Sequence, residues 1–78
     1  MPQIITKVNV LPSGAVSVGY SVGRVYGAVM FDKDGRYEDA TRTTMSSIKG
    51  RGFCEQDELP AGVLDAARAA RRAAIENR

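Results

Sequence analysis

Residues Ala15 to Val22 alternate without a break: Val16, Val18, Tyr20 and Val22 fall on one side, and Ala15, Ser17, Gly19 and Ser21 on the other. Period two is the mark of a strand with one buried face. The turns on either side fix how this strand pairs. Leu11-Pro12-Ser13-Gly14 has the chemistry of a type I turn closed by a glycine bulge. That loop sets Leu11 opposite Ala15, so Val10 meets Val16, Val8 meets Val18, Thr6 meets Tyr20 and Ile4 meets Val22. A loop one residue shorter would put Ser17 against Val10, and the hydrophobic pattern rejects that slip. On the other side, Val22-Gly23-Arg24-Val25 suits a type II′ turn with glycine first. It pairs Tyr20 with Gly27, Val18 with Val29 and Val16 with Phe31, and the Tyr20 ring is expected to cover Gly27. Two independent turns thus agree on one apolar face, which predicts an antiparallel β-meander.

Asp32-Lys33-Asp34-Gly35 is a third turn, bringing Tyr37 beside Phe31. Continuing that pairing residue by residue puts Asp39 opposite Val29, so the fourth strand is expected to stop early. Asp39 then caps a short helix from Ala40, with Thr41, Thr44, Met45 and Ile48 at helical spacing and Gly50 after its end. The rival is an extended strand through residues 41–44, favoured by the poor helix propensity of Thr and Ser. Residues 50–58 read as a loop. The last segment reads as a helix, with Pro60 in its first turn, acidic residues before it and arginines towards its end. Its stripe is Val63, Ala66, Ala67, Ala70, Ala73 and Ala74, flanked by Leu64 and Ile75. The chain therefore divides into a meander (1–38), a short helix and loop (39–58) and a C-terminal helix (59–78). It makes one α+β domain: a three- to four-stranded antiparallel meander packed by the C-terminal helix and a short preceding helix.

Composition excludes much chemistry. The chain has 78 residues, no His and a single Cys, Cys54. A core this small buries only about 60% of the unfolded surface, and one cysteine provides no internal disulfide to reinforce it. Zinc sets of Cys and His cannot be assembled, nor can a Ser-His or Cys-His couple. Glu38, Asp39, Glu55, Asp57 and Glu58 supply carboxylates, but no spacing brings two of them around a pocket. A calcium loop opening at Asp32 fails where glycine and the final glutamate are required. Arg51-Gly52-Phe53 matches only the start of an RNA-recognition submotif. Neither catalytic residues nor a cofactor or metal site are expected. The N-terminus lacks the pattern of a signal peptide and no run is long enough to span a membrane, so the expected compartment is the cytoplasm.

What remains is surface. The face of the meander opposite the core carries Gln3, Ile5, Lys7, Asn9, Ser17, Gly19, Ser21, Tyr26, Ala28 and Met30. Lys7, Asn9, Tyr26 and Met30 stand where a plain solvated face could use short polar residues, and Tyr and Met are enriched at interfaces. Asp32 and Asp34 sit at one end and could steer a partner. Arg68, Arg71 and Arg72 form a second candidate, a phosphate-gripping helix face. Asp65 and Glu76 stand at pairing distance along the helix and offset part of that charge.

In length, lack of a catalytic set and strands-then-helix layout, the whole chain resembles the small inhibitors encoded by phages and mobile elements, anti-CRISPR proteins among them. The resemblance implies a non-enzymatic protein-binding module, monomer or homodimer, that occludes a partner protein. The alternatives are a small nucleic-acid-binding protein using the arginine face, and a subunit that self-assembles through the free edge of its first strand.

Overall fold

The computed structural model describes residues 3–44, 52–53 and 59–76. Five strands follow one another across a single antiparallel sheet, β1 (Ile5–Val10), β2 (Val16–Val22), β3 (Val25–Phe31), β4 (Tyr37–Thr44) and β5 (Gly52–Phe53), and a helix, α1 (Val63–Glu76), follows. The architecture is α+β.

The register of the first three strands is the one the turns imply. Val16, Val18 and Tyr20 lie across from Val10, Val8 and Thr6. On the other side Val16, Val18, Tyr20 and Val22 lie across from Phe31, Val29, Gly27 and Val25. The described β1 ladder begins at Ile5↔Ser21, so Ile4 packs on the core from just outside it. The first loop closes with Gly14 N–H donating to the Leu11 carbonyl (3.0 Å) and Leu11 N–H to the Ala15 carbonyl (2.8 Å). The third loop repeats this: Gly35 N–H donates to the Asp32 carbonyl (3.0 Å) and Asp32 N–H to the Arg36 carbonyl (2.9 Å). Gly14 and Gly35 have φ of +94° and +87°, a region that L side chains avoid. Between them, the second turn has Gly23 first, at φ +59°.

The fourth strand corrects the sequence reading. It does not stop at Glu38, and Ala40–Thr44 are strand rather than the start of a short helix. The cause is a bulge. Tyr37 pairs with Phe31, but the next pair is Asp39↔Met30, followed by Ala40↔Val29. The extra residue moves Asp39 to the side of Met30 and turns Ala40 into the core, where it is fully buried. The conflict between Asp39 and Val29 that would have ended the strand never arises. Gly52–Phe53 then adds a short edge by pairing with Arg42 and Thr41, inside the stretch read as loop. Met45, Ile48 and Gly50, the rest of the expected short helix, lie outside the described residues, as do Cys54, Asp57 and Glu58.

The helix begins at Val63 rather than Leu59. Gly62 has φ +83°, incompatible with a helix interior, and leads the chain into the first turn. The Pro60 carbonyl accepts from Val63 N–H at 3.1 Å. An added Cβ on Gly62 would stand 3.2 Å from Ile4 Cδ1, so this entry point sits tightly on β1. α1 lies over β1 and β2. Val63 and Ala67 are fully buried, while Leu64, Ala70 and Ile75 pack half-buried against the core. Ala73 is exposed, so the alanine stripe is narrower than the sequence suggests. The core is Val16, Val18, Tyr20, Val29, Phe31, Ala40, Leu59, Val63 and Ala67.

Candidate protein-binding face

With α1 on one face, no described element covers the opposite face of the sheet, and its residues fall in rows set by the register. One row runs Ile5, Ser21, Tyr26; the next Lys7, Gly19, Ala28; the third Asn9, Ser17, Met30, Asp39. Lys7, Asn9, Tyr26 and Met30, the residues singled out in the sequence, do share this face. Ile5 (62% exposed) and Tyr26 (45%) are its large exposed apolar side chains, and they occupy the same row.

The centre of the face is shallow. Ser17, Gly19 and Ser21 follow one another along β2, between the larger residues of β1 and those of β3. Among the described residues nothing requires glycine at position 19: an added Cβ would make only ordinary contacts, 3.7 Å from the Lys7 carbonyl oxygen and 3.9 Å from that of Gly27. Gly27, one strand over, is different. A Cβ there would overlap the Thr41 carbonyl oxygen and stand 3.0 Å from the Tyr20 hydroxyl. Tyr20 reaches across Gly27 on the core side and donates its hydroxyl hydrogen to the Thr41 carbonyl at 2.8 Å. Ala28 N–H donates to Thr41 Oγ1 at 3.0 Å, a side-chain bond in place of a ladder bond.

The acidic turn is mostly self-satisfied. Asp32 Oδ1 accepts from the backbone N–H of Asp34 and of Arg36, each at 2.9 Å. The Arg36 N–H bond, with the Asp34 bond behind it, outweighs desolvation and holds the Asp32 carboxyl below the usual carboxylate range. Asp32 thus builds the turn, and Asp34 is the exposed carboxylate at its tip. Asp39, read from sequence as a helix cap, instead joins the open face through the bulge and accepts from Ala40 N–H at 2.9 Å. Period-two counting could not reveal it, because a bulge leaves no period of its own. Ile5 was legible as the alternation partner of Lys7.

The helix arginines are partly engaged. The Arg68 guanidinium lies 5.5 Å from the centroid of the Phe31 ring and reaches the Gly35 carbonyl oxygen at 3.5 Å. The Arg71 guanidinium lies over Gly35, 2.7 Å from where a Cβ would stand, and its Nε is buried without a hydrogen-bond partner. Arg72 is exposed.

Among the described residues, no three His, Cys, Asp or Glu side chains gather as a metal site would require, and no helix is long and apolar enough to cross a membrane. Compared with known protein families, curated proteins and solved structures, the chain matches none.

Proposed function

We propose that this protein works without catalysis, by binding protein through the open face of its sheet. The observation that carries this reading is the placement of Ile5 and Tyr26. Both large exposed apolar side chains among the described residues lie in one row of the face opposite α1. Burying a Tyr beside an aliphatic residue is a common way to anchor an interface, with Lys7, Asn9, Met30 and Asp39 around it. Occlusion of a partner's surface is the mode of action proposed, in keeping with the likeness in size and layout to phage-type inhibitors. The arginine face has less in its favour, because Arg68 and Arg71 already lie against the β3–β4 turn.

The test is capture on immobilised bait from the native host, with mass spectrometry of what is retained. Tyr26→Ala should keep the wild-type fold by circular dichroism and weaken capture by about 2 kcal/mol or more, as loss of an anchor does. If Arg71→Glu with Arg72→Glu abolishes capture while Tyr26→Ala and Met30→Ala leave it unchanged, the contact lies on the helix and the reading is wrong.

A further inference from the structure

The open face is complementary to itself, and we infer that its occupant is a second copy of this chain, packed sheet to sheet about a two-fold axis that runs parallel to the strands between β2 and β3. This rests on the reading of the face as a protein-binding surface: the second copy covers it in the free protein, and a partner to be occluded competes with that copy for the same residues.

Such an axis places β2 of one copy against β3 of the other, and β1 against β4, with each row kept level. The large residues then meet the small ones. Tyr26 faces Ser21 of the second copy, and Met30 faces Ser17 of the second copy, since Ser21↔Tyr26 and Ser17↔Met30 share rows within one sheet. Gly19 faces Ala28 of the second copy beside the axis, where two sheets must come closest. A glycine in a central strand weakens that strand unless something needs the space. The described residues of the monomer do not need it, because a Cβ at position 19 meets none of them nearer than 3.7 Å. A second backbone approaching from outside does.

The margins are complementary in charge. Asn9 faces Asp39 of the second copy, and Lys7 stands one row away, about 7 Å along the strand, within reach of its four-carbon stem. Symmetry makes each such contact twice. The other face-to-face arrangement, with the axis across the strands, sets Lys7 on Lys7 and Tyr26 on Met30. It brings like charges together and leaves the shallow centre unfilled. Four strands at a spacing of about 4.8 Å make a small interface, so the expected association is micromolar rather than nanomolar.

Sedimentation equilibrium from about 1 μM to about 1 mM tests this, in the concentration range where such an interface would dissociate. The wild type should pass from monomer to dimer. Gly19→Val should keep the fold by circular dichroism and weaken dimerisation at least tenfold. Lys7→Glu and Asp39→Lys should each weaken it, and the double variant should recover most of the loss. Should Gly19→Val fail to fold, the charge exchange decides alone. A wild type that stays monomeric to the highest concentration overturns the inference, as does a folded Gly19→Val that dimerises like the wild type, or a double charge variant no better than the singles. Capture with the Tyr26→Ala bait separates the two ideas. A monomer whose capture of another protein still depends on Tyr26 defeats the dimer and leaves the binding face standing. A monomer with Tyr26-independent capture defeats both.

Discussion

The hairpins β1–β2 and β3–β4 close with the same backbone hydrogen bonds around Gly14 and Gly35, yet their ladders differ. β1 and β2 pair through six consecutive positions without a shift. β3 and β4 pair through a bulge beside Phe31, and further along Ala28 N–H bonds to the Thr41 side chain. Identical turns therefore do not make identical hairpins. In β1–β2 the alternation of the two strands matches from the turn outward, so regular pairing sets Val8, Val10, Val16, Val18 and Tyr20 together on the core side. In β3–β4 it does not match: Tyr37 belongs to the core, Asp39 does not, and Ala40 does. One extra residue resolves the mismatch at the cost of ladder regularity. Gly27 and Tyr20 then stabilise the irregular stretch, one by leaving room and the other by donating a hydrogen bond to Thr41.

The sharpest way to break the irregular hairpin is Gly27→Val. The new side chain runs into the Thr41 carbonyl, which is backbone and cannot swing aside. Overpacking and loss of the Tyr20 bond together should cost about 3 kcal/mol or more. Urea denaturation checks it. A midpoint within experimental error of the wild type would show that β4 does not lie over Gly27. The regular hairpin is probed by Val18→Ala, which empties a fully buried position between Val8 and Val29. It should cost about 1–3 kcal/mol, as truncation of a buried valine does, so it should fall below Gly27→Val in the same titration. The reverse order would make the β1–β3 packing, rather than the Thr41 approach, the more demanding feature.

Tyr20→Phe isolates the tie between the two hairpins. The ring stays and the hydroxyl goes, leaving the Thr41 carbonyl without that donor. A loss of about 1 kcal/mol is expected, the net worth of one such bond. Amide exchange locates it: protection should fall in β4 and stay unchanged in β1. Uniform loss along both strands would mean that the hydroxyl supports the core as a whole.

The same contrast explains what could be read in the residues. β1 to β3 were legible because turn chemistry and period-two alternation are local signals that agree: Leu11–Gly14, Val16–Val22 and Gly23 each imply one register. β4 past Glu38 was legible only as the rival to a short helix, an extended strand through residues 41–44. Its continuation depends on a bulge that no local pattern marks, so Asp39 looked like a cap and Ala40–Thr44 like a helix start. The helix was legible in its stripe and not in its first residue, since Gly62, inside the expected 59–78 segment, takes a positive φ that holds the start back to Val63. On the open face Lys7, Asn9, Tyr26 and Met30 followed directly from alternation. Asp39 reached that face only through the bulge, and Asp32 was read as a steering charge although its carboxylate is bound into its own turn.

The smallest expected effect separates the two turns themselves. At the equivalent position of the first loop stands Leu11, with no acceptor, and only Ser13 Oγ assists by accepting from Ala15 N–H at 3.4 Å. Asp32 is a carboxylate accepting from two N–H groups, and its folded-state pKa lies below the ordinary value. A depressed carboxylate contributes stability that is fully present above the unfolded-state pKa and is lost as pH falls through the lower folded value. The β3–β4 turn should therefore weaken in acid, below pH about 4, while the β1–β2 turn has no such dependence. In Asp32→Asn the side-chain oxygen can still accept, but the charge is gone. Melting temperatures of wild type and variant should differ slightly at neutral pH and converge as the pH is lowered through that range. A gap that stays constant into acid would mean that the Asp32 charge adds nothing to the turn, and that its hydrogen-bond geometry alone distinguishes this hairpin from the first.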